Sequence, residues 1–165
     1  MPTGGLPLWT QLPTVAPLLG LSAMTGIHMT EPLNHHAALI YVMVTMSAVD
    51  RTMTDAELAR IGEIVSNLPI FRDFDQEKLV KTAEGCGEIL SADGGLDHVL
   101  LLIRSNLPKK LRETAYAVAL EVAAADLDVK QEETRFLEML RDTLELDPLT
   151  TTGIERGIRA RNMVL

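Results

Sequence analysis

Two stretches of the chain repeat one pattern at an offset of 76 residues, so that Asp50 aligns with Asp126 and Glu57 with Glu133. Residues 37–68 read AALIYVMVTMSAVDRTMTDAELARIGEIVSNL, and residues 113–144 read ETAYAVALEVAAADLDVKQEETRFLEMLRDTL. Each copy combines an apolar helix, an acidic corner and an amphipathic helix. The repeat therefore predicts two related halves whose first helices pack together around a pseudo-twofold axis.

Helix signals continue through the rest of the chain. Residues 37–49 are apolar almost all round, which is typical of a central buried helix. Thr54 and Glu57 have the spacing of a capping box, Pro69 ends the helix that this box begins, and Asp147 precedes a proline that suits the start of a last helix. No segment alternates polar and apolar residues over a strand's length. We predict an all-α, compact bundle of six or seven helices with an internal pseudo-twofold repeat.

Composition limits the class of protein. The 165 residues are 47% hydrophobic and only 4% aromatic, which fits one helical domain over residues 34–165. The net charge of −8 argues against a nucleic-acid partner, because an acidic chain repels phosphate backbones. A single cysteine excludes an internal disulfide and is compatible with a reducing compartment, so we expect a cytoplasmic protein.

The first 33 residues differ from the remainder. Residues 1–30 carry no Asp, Glu, Lys or Arg, and five prolines fall within residues 2–32. The prolines and the missing basic start argue against a secretory signal, and the apolar runs are too broken for a transmembrane segment. We expect residues 1–33 to be flexible or loosely attached, with Met24 or Met29 as an alternative first residue. The other interpretation is an ordered strap lying on the domain.

The acidic corners are the candidate site. Asp50 and Asp126 each end an apolar helix, where a carboxylate is disfavoured by the helix dipole by about 0.3–1 kcal/mol. Either the amides of the next helix or a bound cation could offset this cost. Small residues near the ends of the two first helices would bring the corners together. Carboxylate oxygens are hard ligands that suit Ca²⁺, Mg²⁺ or Mn²⁺.

Neither corner is an EF-hand. In the second copy, Gln131 stands where that loop needs Gly, and Leu137 stands where it needs Glu. Ligands for a cation would therefore come from both copies. The competing interpretation is structural: Glu57 belongs to the capping box with Thr54, and Asp128 caps the helix that follows it.

The corner motif resembles the tellurite-resistance TerB family, whose helical domain also forms the N-terminal part of DjlA-type co-chaperones. In each copy a small-residue helix ends in Ala-x-Asp, with a hydrophobic residue three positions on and Glu seven positions on. The resemblance covers about residues 34–148. It implies an all-helical stress-response domain in which clustered acids bind a divalent metal, here Asp50, Glu57, Asp126, Asp128 and Glu133.

This chain departs from the family pattern at three positions. Arg51 and Leu127 replace the usual glycine after the aspartate, and Thr52 replaces the second acid of the first copy. The His-Pro-Asp tripeptide of a J-domain is absent from the sequence, which excludes a full co-chaperone.

None of the other candidate residues indicates an enzyme. Cys86 lies on an apolar stripe, which predicts a buried structural thiol. His35 and His36 point in different directions on a helix, and we expect an exposed first turn rather than a shared metal. We therefore expect a non-enzymatic binding module with an unidentified protein partner. The alternatives are a purely structural interaction domain without a ligand and, ranked last, a metal-dependent enzyme.

Overall fold

The computed structural model describes residues 33–49, 53–124 and 130–164. Within these ranges the chain forms seven α-helices, three short 3-10 turns and no strand, which confirms the predicted all-α class. The α-helices are α1 His35–Ala48, α2 Asp55–Asn67, α3 Leu79–Leu90, α4 Gly95–Asn106, α5 Arg112–Ala123, α6 Gln131–Leu144 and α7 Pro148–Arg161. The prediction about residues 1–33 concerns a segment that, apart from Leu33, lies outside the described residues. None of the described helices has the length and apolarity that crossing a membrane requires.

Side chains at the helix starts explain where several helices begin. The Asn34 side chain accepts a hydrogen bond from the Ala37 amide at 2.9 Å. Asp147 accepts one from the Thr150 amide at 2.9 Å, and Pro148 occupies the first turn of α7. Each cap satisfies one of the amides that an α-helix leaves without an internal partner.

Helix α1 is the centre of the bundle. Every residue from Ala38 to Ser47 is buried, and α1 packs against α2, α3, α4 and α5. Such a helix needs apolar side chains on all its faces, which is the pattern that residues 37–49 show. Burial contributes roughly 1.5–3 kcal/mol for each large apolar side chain, so α1 supplies much of the hydrophobic stabilisation.

The internal repeat includes three helices in each half. Helices α1 and α2 correspond to α5 and α6, and the predicted packing of α1 against α5 is present. In addition, α3 packs on α1 as α7 packs on α5. The sequence comparison missed this third pair because the connection before it differs in length. Eleven residues (68–78) join α2 to α3, whereas three (145–147) join α6 to α7.

The longer connection forms an aromatic cluster over the start of α1. The ring centroids of Phe71 and Phe74 each lie 5.5 Å from that of His36, a residue that is 6% exposed. His36 Nε2 lies 2.8 Å from the Ile70 carbonyl oxygen, and because a carbonyl only accepts, Nε2 carries the hydrogen. The expectation of an exposed histidine turn was therefore wrong for His36. Helix periodicity does not reveal that residues 68–78, which connect α2 to α3, cover His36.

A charged bridge fixes the end of α6. Glu145 has a positive φ of 57°, which ends the helix, and its carboxylate lies 2.6 Å from Arg104 Nη2 and 2.8 Å from Arg112 Nη1. The same guanidinium groups donate to the last carbonyls of α6, those of Thr143 and Leu144. Hydrogen bonds from Arg112 and Arg104 lower the pKa of Glu145. This bridge joins α4 and α5 to the end of α6.

The turn between α3 and α4 requires two glycines. Gly94 has a φ of +70°, and a Cβ on Gly95 would lie 2.2 Å from the Ile89 carbonyl oxygen. By contrast, a Cβ on Gly153 in α7 would meet no atom within 4 Å.

We predict opposite effects for alanine at these glycines. Gly95→Ala should destabilise the fold by about 2–3 kcal/mol, because the backbone of α3 must move. Gly153→Ala should stabilise it by about 0.5–1 kcal/mol through helix propensity. Urea unfolding followed by circular dichroism measures both, and equal effects would contradict the close approach.

Candidate functional site

The first acidic corner contains a complete capping box. The backbone amide of Thr54 donates to Glu57 Oε2 at 2.6 Å, and the amide of Glu57 donates to Thr54 Oγ1 at 3.2 Å. This pair begins α2, and the Glu57 side chain is half-buried. The capping interpretation of Glu57 is therefore confirmed.

The second corner repeats the main-chain half of this arrangement. The Lys130 amide donates to Glu133 Oε2 at 2.9 Å, with Lys130 at the position of Thr54. Glu133 is only 6% exposed. A carboxylate is costly to bury unless it is hydrogen-bonded or paired, and its place in the first turn of α6 also favours its negative charge.

The structure places only two of the five predicted ligands. Glu57 and Glu133 occupy equivalent positions in α2 and α6, whereas Asp50, Asp126 and Asp128 lie outside the described residues. The alternative prediction, that Asp128 caps α6, also concerns a residue outside the described ranges. Among the described residues, no group of three or more His, Cys, Asp or Glu side chains could hold a metal ion. The cation site formed by all five carboxylates therefore stays a prediction.

Cys86 is a buried structural thiol, as predicted. It is fully buried, with its Sγ 3.8 Å from Thr45 Oγ1 and 3.8 Å from the Tyr41 carbonyl oxygen. Burial raises the pKa of Cys86 to about 12. Because the thiolate is the reactive form, this cysteine is not a nucleophile near neutral pH.

A groove that the sequence did not indicate lies beside the end of α1. Its volume is about 620 Å³, and its walls come from α1, α6, the end of α3 and the start of α4. Apolar side chains form most of the wall, and charged side chains lie at the rim. The wall includes Val49, Leu90, Leu96, Phe136 and Met139, and the charged residues are Asp97, Glu132 and Arg135. Only packing between distant helices creates this space.

Comparison with known proteins identifies a family. The family model described as Tellurite resistance protein TerB matches residues 36–155, which span both copies of the repeat. No curated protein and no solved structure matches the chain.

We predict that Glu133 can be neutralised without losing its cap. Glu133→Gln retains a carbonyl oxygen for the Lys130 amide, whereas Glu133→Ala removes the acceptor and should cost about 1–2 kcal/mol. Glu138→Ala, at an exposed site on the same helix, is the control and should change stability little. Urea unfolding measures all three. An alanine variant as stable as the control would show that the cap contributes nothing.

We also predict that Cys86 reacts only when the chain opens. At pH 8 a disulfide reagent should modify the native protein far more slowly than the protein in urea, because the folded thiol stays protonated and covered. Absorbance of the released thiolate follows the reaction. Equal rates in the two states would contradict the burial of Cys86.

Proposed function

The chain belongs to the tellurite-resistance TerB family, and we propose that it is a non-enzymatic stress-response module that binds a divalent cation through its two acidic corners. The ligands in this proposal are Asp50, Glu57, Asp126, Asp128 and Glu133. We further propose that the protein works in the cytoplasm with a protein partner.

The observation that carries the proposal is the buried carboxylate of Glu133. Glu133 is 6% exposed, accepts the Lys130 amide in the first turn of α6, and is the last residue of the acid-rich sequence 126–133. The repeat places Glu57 at the equivalent turn of α2. A cation would reduce the mutual repulsion of such carboxylates in a chain of net charge −8.

The donor set suits a hard cation. All five proposed ligands supply carboxylate oxygen, which fits Ca²⁺, Mg²⁺ or Mn²⁺ rather than a metal that prefers sulfur or imidazole. Glu57 and Glu133 each use one oxygen to accept a backbone amide, and such hydrogen bonds orient a carboxylate.

The second candidate is an interaction domain that needs no ligand. The groove beside α1 favours it, because an open apolar groove is suited to a protein segment. A metal-dependent hydrolase or transferase ranks last, since the chain's one cysteine is buried with a raised pKa and is a poor nucleophile.

We predict that a divalent cation stabilises the folded protein. A ligand that binds only the native state at a hundredfold excess over its Kd adds about 2.7 kcal/mol. For a domain of this size the melting temperature should then rise by roughly 5–10 °C. Thermal melts with and without millimolar Ca²⁺, Mg²⁺ or Mn²⁺ measure the shift.

Two double variants locate the site. Asp50→Asn/Asp126→Asn removes charge from the corners, and Glu57→Gln/Glu133→Gln removes charge while keeping the capping acceptors. Both should lose most of the metal shift, whereas the control Asp142→Asn, at an exposed position of α6, should keep it. A shift that persists in both double variants contradicts this site, and a parent without any shift contradicts cation binding.

A further inference from the structure

The groove beside α1 presents an apolar wall to solvent. Val49, Leu90, Leu96 and Met139 are half-buried against the core, and Phe136 lies beneath them. A volume of about 620 Å³ is within the range of protein sites that bind a compact ligand or a few side chains. Apolar surface of this kind is stabilised when another apolar segment covers it.

The charges at the rim are compatible with an uncharged occupant. Asp97 and Glu132 are negative and Arg135 is positive, and all three are exposed, so they remain hydrated when the wall is covered. Rim charges of mixed sign favour neither a strongly basic nor a strongly acidic segment. A segment that buried its own charge against this wall would lose hydration without a matched partner.

The chain itself contains such a segment. Residues 1–30 have no Asp, Glu, Lys or Arg, and residues 15–21 read VAPLLGL, with four large aliphatic side chains in seven positions. Pro17 disfavours a helix there and favours an extended backbone, which presents its side chains to a groove without an internal hydrogen-bond ladder.

The connecting chain is long enough to reach the groove. Leu33 precedes α1, and the groove begins at Thr45, 10 residues beyond His35, which is about 15 Å along the helix. Leu21 is 12 residues from Leu33, and an extended chain of that length spans up to about 40 Å. The attachment also gives the segment an effective concentration in the millimolar range.

We propose that residues 15–21 bind in the groove of their own chain, with Leu18 and Leu19 against Met139 and Leu96. This strap covers the apolar wall next to the acidic corner at the end of α1.

Disulfide pairing tests the placement in the full chain. Leu19→Cys/Met139→Cys should form an intrachain disulfide at least about tenfold faster than the control pair Leu19→Cys/Leu149→Cys. The chain connection brings the two cysteines of either pair together, but binding in the groove favours only the first pair. Leu149 is 84% exposed on α7 and does not line the groove. Cys86 is buried with a raised pKa and does not interfere. Non-reducing gels at low protein concentration follow both reactions.

A charge-insertion pair provides an independent measurement. Leu18→Asp/Leu19→Asp should lower the melting temperature of the full chain by several degrees, because a charged segment leaves the groove. Leu6→Asp/Leu8→Asp adds the same charge to the same uncharged region outside the strap, and it should leave the melting temperature unchanged.

Each other result overturns the proposal. Equal rates for the two cysteine pairs place residues 15–21 elsewhere, and a disulfide between chains assigns the groove to a second copy. Equal melting temperatures for the two charge variants show that the strap adds no stability. None of these results depends on divalent cations, so the strap and the cation site are tested separately.

Discussion

Burial of α1 on every side is the constraint on which the rest of the structure depends. A helix that is apolar all round cannot lie on a surface, so other helices must surround it. Helices α2, α3, α4 and α5 do so, and the second half of the bundle attaches through α5. The starts of α2 and α6, where Glu57 and Glu133 lie, follow α1 and α5 along the chain, and α1 and α5 pack against each other.

The two halves share an architecture but have diverged in detail. Both amphipathic helices begin where a glutamate accepts a main-chain hydrogen bond three residues back, at Thr54 and at Lys130. The first half then inserts residues 68–78, whose Phe71 and Phe74 bury His36. The second half turns at once at Glu145, which Arg104 and Arg112 hold. The connection after α2 is therefore held by an aromatic cluster, whereas the connection after α6 is held by charge pairing.

Glu57 and Glu133 have one observed role, as caps, and one proposed role, as ligands. As caps, Glu57 and Glu133 satisfy amides that begin α2 and α6. As proposed ligands, they would add charge to a site shared between the halves. The two roles are compatible, since a carboxylate has two oxygens and a hydrogen bond to one of them orients the other. The cap is observed at both glutamates, and the ligand role is the one proposed for them.

The sequence by itself determined the helical class, the repeat, the Thr54 capping box and the burial of Cys86, because each depends on residues a few positions apart or on periodicity. Tertiary structure alone decided the third helix pair, the burial of His36, the bridge at Glu145 and the groove beside α1. These features join residues more than 30 positions apart, such as His36 with Ile70 and Arg112 with Glu145. Local patterns carry no information about such distances, since they arise only when helices pack.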